Sequence, residues 1–205
     1  MDHAERGPAH LLDTMVSYID DDIYGFDLDE ALAAVSPERR EYALRYRQER
    51  DRRLSLAAYR LLHHALLLEY GITQLPVLLH DASGRPWLQG HPGICCSMSH
   101  CDAAVAVAVS DSPVGIDIET TAHYSAQVAR RVMSDDEMRH ILASPRPQVA
   151  FTRLWTMKES LFKLTGDDGG GDIAHLLTTT SADKCRFHTV IHPRYVCTTC
   201  LTREE

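Results

Sequence analysis

The chain has 205 residues, 44% of them hydrophobic and 24% charged, with a formal net charge of −8. That length can bury a core as one large domain or two compact halves. The acidic balance argues against nucleic acid as the main partner, while a local Arg cluster could still hold one small anionic ligand. No apolar run approaches the roughly 20 residues that a membrane span needs. Met1-Asp2-His3-Ala4-Glu5-Arg6 also lacks the apolar stretch of a secretion signal, so the expectation is a cytoplasmic protein with no membrane partner.

Ser36-Pro37-Glu38 combines a capping hydroxyl, proline at the first helical position and an early acid, which predicts a helix start. Helix is expected to run, broken once, to Gly71. Leu54, Ala58, Leu61, Leu62, Ala65 and Leu68 recur at three-and-four spacing and predict a face packed on a sheet. Upstream, arginines crowd the segment from Arg39 to Arg53. Short apolar runs follow, over 77–80, 94–98, 103–109 and 114–119, with turn residues between them, and predict paired strands. Ser134 to Glu137 is a capping-box pattern. A longer helix is expected from about Gln148 to Leu164, then a loop over 167–172, then one or two strands from Cys185 to Thr199. Helices, strands, helices, strands is an order that suits two similar α/β halves meeting near Val114.

Six cysteines without a secretion signal predict free thiols. Cys197-Thr198-Thr199-Cys200 is one CxxC on an expected strand, two ligands short of a zinc site.

Four constellations could carry chemistry. In Val114-Gly115-Ile116-Asp117-Ile118-Glu119 a strand places Asp117 and Glu119 on one face and the isoleucines on the other. Two adjacent carboxylates raise each other's pKa unless a cation lies between them. Mg²⁺ suits such a pair because it takes one or two carboxylates and completes its shell with water and phosphate. A strand end whose acids simply face water is the alternative. Trp155, Glu159 and Lys163 share a helical stripe, which reads either as a site or as an ordinary surface ion pair. Ser97-Met98-Ser99-His100 offers a nucleophile with its base, donors for a phosphate, or a structural histidine. Gly84-Arg85-Pro86 fixes the backbone around one arginine at a turn.

In this order and spacing, the Gly84-Arg85-Pro86 turn, the Ser97-to-His100 and Val114-to-Glu119 block, and Leu154-Trp155-Thr156-Met157-Lys158-Glu159-Ser160-Leu161-Phe162-Lys163 resemble the phosphopantetheinyl transferase superfamily in its single-chain Sfp-type form. The resemblance runs over roughly 47–166. It implies an α+β fold of two similar α/β halves, 1–112 and 113–205, forming a pseudo-dimer within one monomeric chain. The active site would lie at their interface, with most of the metal site in the second half.

The resemblance also implies transfer of 4′-phosphopantetheine from coenzyme A to a serine of an apo acyl or peptidyl carrier protein, with Mg²⁺ as cofactor and 3′,5′-ADP released. Asp117, Glu119 and Glu159 match the metal-side acids, and Glu159 and Lys163 match the catalytic pair. Ser99, His100, Arg85, Lys163 and one of Arg52 or Arg53 match the coenzyme A contacts, His100 and Lys163 supplying fixed positive charge or donors. Arg85 stands where the family often has lysine. Gly166-Asp167-Asp168-Gly169-Gly170-Gly171 replaces the family's short Gly-x-Gly, and the C-terminal strands read as short. The Arg39-to-Arg53 region is the expected carrier-docking surface. A Mg²⁺-dependent nuclease and a non-catalytic coenzyme A or carrier binder are the rival readings.

Overall fold

A computed structural model describes residues 9–11, 14–19, 23–81, 84–166 and 173–203. In chain order the elements are β1 (Ala9–Leu11), β2 (Thr14–Ile19), α1 (Leu28–Ala33), α2 (Pro37–Leu44), α3 (Glu49–Tyr70), β3 (Leu78–His80), β4 (Pro86–Leu88), β5 (Cys95–Cys101), β6 (Ala104–Ser110) and β7 (Val114–Thr120). Then come α4 (Ala126–Val132), α5 (Asp135–Ala143), α6 (Pro147–Thr165), α7 (Thr180–Asp183), β8 (Cys185–Ile191) and β9 (Tyr195–Thr202). This is the mixed α+β composition the sequence implies. Among the described residues, no helix is long and apolar enough to cross a membrane.

Local chemistry sets the helix ends. Ser36 Oγ accepts the Arg39 N–H at the start of α2, and Ser134 with Glu137 closes a capping box on α5, each satisfying amide donors that the first turn leaves open. α3 and α6 stop at Gly71 (φ 67°) and Gly166 (φ 60°). Both adopt the left-handed conformation that glycine takes without a Cβ penalty.

Two antiparallel sheets, ordered β1-β2-β6-β5 and β7-β9-β8, form the centre, and β3 pairs with β4 as a separate hairpin. β6 alternates valine and alanine, and its two faces meet different neighbours. Val105, Val107 and Val109 pack with Leu54, Ala58 and Leu62 of α3. Ala104, Ala106 and Ala108 lie against Ile116 and Ile118 of β7 and Tyr195 and Cys197 of β9. The order of layers is therefore α3, first sheet, second sheet, α6.

Three expectations need correction. Leu68 is 51% exposed; the chain turns back after Gly71, Ile72 N–H bonds to Leu66 O at 3.3 Å, and Leu66 takes the inward place. The C-terminal strands are not short, since β8 has 7 residues and β9 has 8, reaching Thr202. β2, unassigned from the sequence, pairs with β6 from Thr14↔Ser110 to Ile19↔Val105. The loop expected over 167–172 lies outside the described residues. Cys197 and Cys200 sit on β9 as expected, but three residues apart on a strand they enter different core clusters, so the CxxC cannot chelate one ion.

The second sheet approaches α6 closely at Gly115. A Cβ there would stand 1.9 Å from Ser160 O and 2.7 Å from Leu164 N, both backbone atoms. Gly115→Ala must push α6 off the sheet, and we expect it to cost at least about 2 kcal/mol in urea unfolding, within the range of overpacked cores. Trimming the neighbour as well, in Gly115→Ala/Ser160→Gly, should recover nothing, because the clash is with backbone.

Candidate active site

β7 presents Ile116 and Ile118 to the inter-sheet core and Asp117 and Glu119 to the opposite face, where α6 lies. Asp117 is 6% exposed. Its Oδ1 accepts a hydrogen bond from Ser99 Oγ at 2.7 Å and another from Lys163 Nζ at 2.7 Å. Lys163 Nζ also donates to Ile116 O at 3.1 Å. Lys163 thus spans from α6 to β7, instead of forming the surface pair with Glu159 that the i,i+4 spacing allows. β5 reaches the same strand through side chains: Ser97 Oγ accepts the Ile116 N–H at 3.0 Å, supplying a partner for a buried amide on the edge of β7 that β9 does not pair.

Glu119 Oε1 accepts the Thr120 N–H at 2.6 Å and lies 3.7 Å from His123 Nδ1. Burial pushes its carboxyl above the ordinary range, and Asp117 pushes it further against the opposing Thr120 bond. Burial also raises Glu159, followed by the negative charge of Asp117 and, more weakly, Glu119, with Lys163 pulling the other way. The three acids therefore share one electrostatic neighbourhood. Burial lowers the His100 pKa, and Lys163 lowers it further. On β5, His100 shares the face of Cys96 and Met98, which pack toward α3, while Ser97 and Ser99 face β7.

Among the described residues, no three His, Cys, Asp or Glu side chains converge closely enough to complete a metal site by themselves. The donor chemistry still fits a hard divalent cation. Asp117, Glu119 and Glu159 supply hard carboxylate oxygens, and Mg²⁺ characteristically takes few protein ligands and fills its shell from water and a phosphate.

Beside Lys163 a cleft of about 240 Å³ is lined by Tyr42, His80, Arg85, Ser97 and Phe162. Arg85 donates from Nη2 to Leu164 O, and its buried Nε has no hydrogen-bond partner among the described residues. Arg52 and Arg53 line neither this cleft nor its neighbour. Arg52 Nε donates to Tyr46 O at 2.8 Å, holding the break between α2 and α3. Arg53 donates to Tyr24 O, Phe26 O and Glu49.

Arg39 is the residue the sequence reading placed wrongly. It is 8% exposed, donates to Ser55 Oγ at 2.7 Å, and sits 4.8 and 5.3 Å from the ring centres of Tyr42 and Tyr59. Its Nε, too, has no partner among the described residues. It lines a recess of about 160 Å³ that shares Tyr42 and His80 with the larger cleft. With Arg39, Arg52 and Arg53 drawn inward, Arg50 paired with Asp102 and Arg45 with Glu41, Arg40 and Arg47 are the exposed arginines of the expected docking region outside those pairs.

Trp155 stacks on Phe151, 6.5 Å between ring centres, and anchors α6 rather than lining the site. Lys158 is fully buried. Its Nζ faces Glu137 Oε2, Ile173 O and Ala174 O at 2.8 Å and Val132 O at 3.0 Å. It ties α6 to α5, to the end of α4 and to the segment preceding α7. A lysine next to a site acid gives no hint of this in sequence; the partner Glu137, hidden in a capping box, is the only local clue.

A sequence model of the 4′-phosphopantetheinyl transferase superfamily matches residues 113–200, the segment that contains Asp117, Glu119, Glu159 and Lys163. The chain is similar to the 4′-phosphopantetheinyl transferase psf-1 of Bacillus pumilus, with 35% identity over 135 residues, 64% of this chain and 58% of that protein. It therefore spans less than two thirds of that relative's length. A 4′-phosphopantetheinyl transferase of Bacillus subtilis is 30% identical over 152 residues, 73% of this chain and 68% of its own. Enterobactin synthase component D of Salmonella typhi is 32% identical over 107 residues, 51% of this chain and 44% of its own.

Two outcomes follow from the geometry. Lys158→Met leaves Glu137 without its buried partner and should cost about 3 kcal/mol in urea unfolding; Lys158→Met/Glu137→Leu should recover part of that loss. Because the folded pKa values of Glu119 and Glu159 are raised, the folded state holds more protons than the unfolded one above the ordinary carboxylate range. Their contribution to stability is therefore lost as pH rises through that interval. In EDTA, Glu159→Gln should raise the urea midpoint at neutral pH, and its advantage over the wild type should shrink as pH falls toward 4.5, the ordinary glutamate value.

Proposed function

The chain belongs to the 4′-phosphopantetheinyl transferase superfamily, and we propose that it transfers the 4′-phosphopantetheine arm of coenzyme A to a serine hydroxyl of an acyl or peptidyl carrier protein. The observation that carries this reading is the Asp117–Lys163 pair that joins β7 to α6, with Glu159 within electrostatic reach of Asp117 and Glu119, beside a cleft bearing Arg85. In the reaction the seryl oxygen forms a bond to the β-phosphorus, the bond from that phosphorus to the oxygen of 3′,5′-ADP breaks, and the seryl proton passes to a base.

Asp117, Glu119 and Glu159 would hold Mg²⁺. When bound, the ion would supply charge neutralisation at the diphosphate. Lys163 would direct an ammonium at the same oxygens, with the Ser99 hydroxyl beside it on Asp117, and His100 would contact coenzyme A from the other face of β5. Arg85, and Arg39 through the adjoining recess, would hold the anionic nucleotide end, each with an Nε that lacks a partner among the described residues. Glu159 is the proposed proton acceptor, since burial and neighbouring acids shift its pKa upward toward the range where a carboxylate takes a proton effectively. Arg52 and Arg53 act by fixing the loops that frame α3. The α3 layer with the first sheet and the α6 layer with the second correspond, in this reading, to two similar halves, 1–112 and 113–205, of a monomeric pseudo-dimer with the site at their seam.

The test is incubation with coenzyme A, Mg²⁺ and an apo carrier protein, with mass spectrometry of the carrier. A gain of one phosphopantetheine is expected. Glu159→Gln should lower kcat by about 10²-fold or more, and Mg²⁺ should raise the urea midpoint of the wild type more than that of the variant. Undiminished transfer by the variant at saturating Mg²⁺ overturns the role of Glu159 as base. Cleavage of DNA or RNA with no mass gain on the carrier favours the hydrolase.

A further inference from the structure

A second recess, of about 610 Å³, shares no residue with the cleft beside Lys163. Its apolar lining includes Phe26, Val35, Ala57, Leu61, Leu67 and Leu75. Ala57, Arg60, Leu61, His64 and Leu67 follow one another at three-and-four spacing along α3, so one stripe of the helix supplies both the floor and part of the rim. Ala57 and Leu61 are buried, while Arg60 and His64 are exposed.

The charged lining is one-sided. Arg60 holds its guanidinium 5.4 Å from the Phe26 ring centre and makes no ion pair among the described residues. His63 and His64 add two imidazoles, that of His63 within 3.1 Å of Thr73 O. In a chain of net charge −8, no Asp or Glu is among the described lining residues. A concave apolar volume of a few hundred cubic ångströms with a small number of placed polar groups has the form of a small-molecule site. A guanidinium that rests on an aromatic face keeps its N–H edge free for a planar acceptor. One fixed cation at the rim matches one negative charge on the ligand.

We propose that this recess binds a small amphipathic monoanion, a medium-chain carboxylate, with its apolar body along Ala57 and Leu61 and its head group at Arg60. The proposal does not depend on the transferase reading, and its readout is binding alone. The full chain is titrated with [1-¹³C]dodecanoate, below its micelle concentration, and followed by carboxyl NMR and calorimetry. Saturable one-to-one binding is expected. Arg60→Glu should weaken it by about tenfold or more, as the loss of a charge-assisted contact and the gain of a repulsion imply. Ala34→Trp, which places an indole at an exposed lining position, should abolish it. Circular dichroism confirms that both variants fold, and if Ala34→Trp does not, Arg60→Glu decides. Absence of saturable binding overturns the proposal. So does equal affinity for dodecyltrimethylammonium, which would show a merely greasy surface, or unchanged binding by a folded Ala34→Trp.

Discussion

The contact of α6 with β7 at Gly115 is the constraint on which the site depends. With no side chain at that position, Ser160 O and Leu164 N come within a distance that any Cβ would forbid. The helix is then close enough for Lys163, one turn beyond Glu159, to reach both Ile116 O and Asp117 Oδ1. A helix seated farther out would leave Asp117 buried with Ser99 as its sole donor. A buried carboxylate with one neutral hydrogen bond is poorly compensated. The same close approach lets the negative charge of Asp117 be felt at Glu159.

α6 divides its labour by angle. Successive residues turn by about 100°, so Lys158 and Glu159 leave the helix in different directions despite being adjacent. Lys158 points into protein and is satisfied by one carboxylate and three carbonyls; Glu159 lies within reach of the charges of Asp117 and Glu119. Trp155, a turn earlier, goes into the cluster around Phe151, Met133 and Ile141. The helix is fixed at two places outside the site, which allows it to hold a like-charged acid near Asp117 and Glu119 without rotating away. Repulsion among the acids is thus borne by packing elsewhere.

Features set by a few consecutive residues were legible in the sequence. Ser36-Pro37, the Ser134–Glu137 box and the glycines that end α3 and α6 act through backbone groups within one helical turn. The alternation of β6 and β7 was equally plain, because one residue's face fixes the next. Arg39 was not legible. Its burial depends on Ser55, 16 residues away, and on two tyrosine rings, and nothing in Pro37-Glu38-Arg39-Arg40 separates the inward arginine from the outward one except helical phase. The downward shift of the His100 pKa has a similar origin, in burial and in Lys163, a distant residue in the chain. Thr14 to Ile19 has the composition of a strand, but pairing with the fully buried β6 is what gives that short segment its place as β2.

Lys163 belongs to both electrostatic regions of the site. Toward β7 it neutralises Asp117; on its other side it lines the cleft with Arg85 and His80. Acids therefore collect at one end, around Glu119 and Glu159, and cations at the other, with a lysine at the boundary. Such a gradient orients an elongated anion: its most negative part is drawn toward the arginines, and only a portion screened by a cation can approach the carboxylates. Because Lys163 is 28% exposed while Asp117 is nearly buried, removing the lysine would strand the acid as well as empty one wall of the cleft. Stability and ligand recognition are coupled at that residue, and a loss of turnover there reports on the Asp117 pair as much as on any contact with substrate.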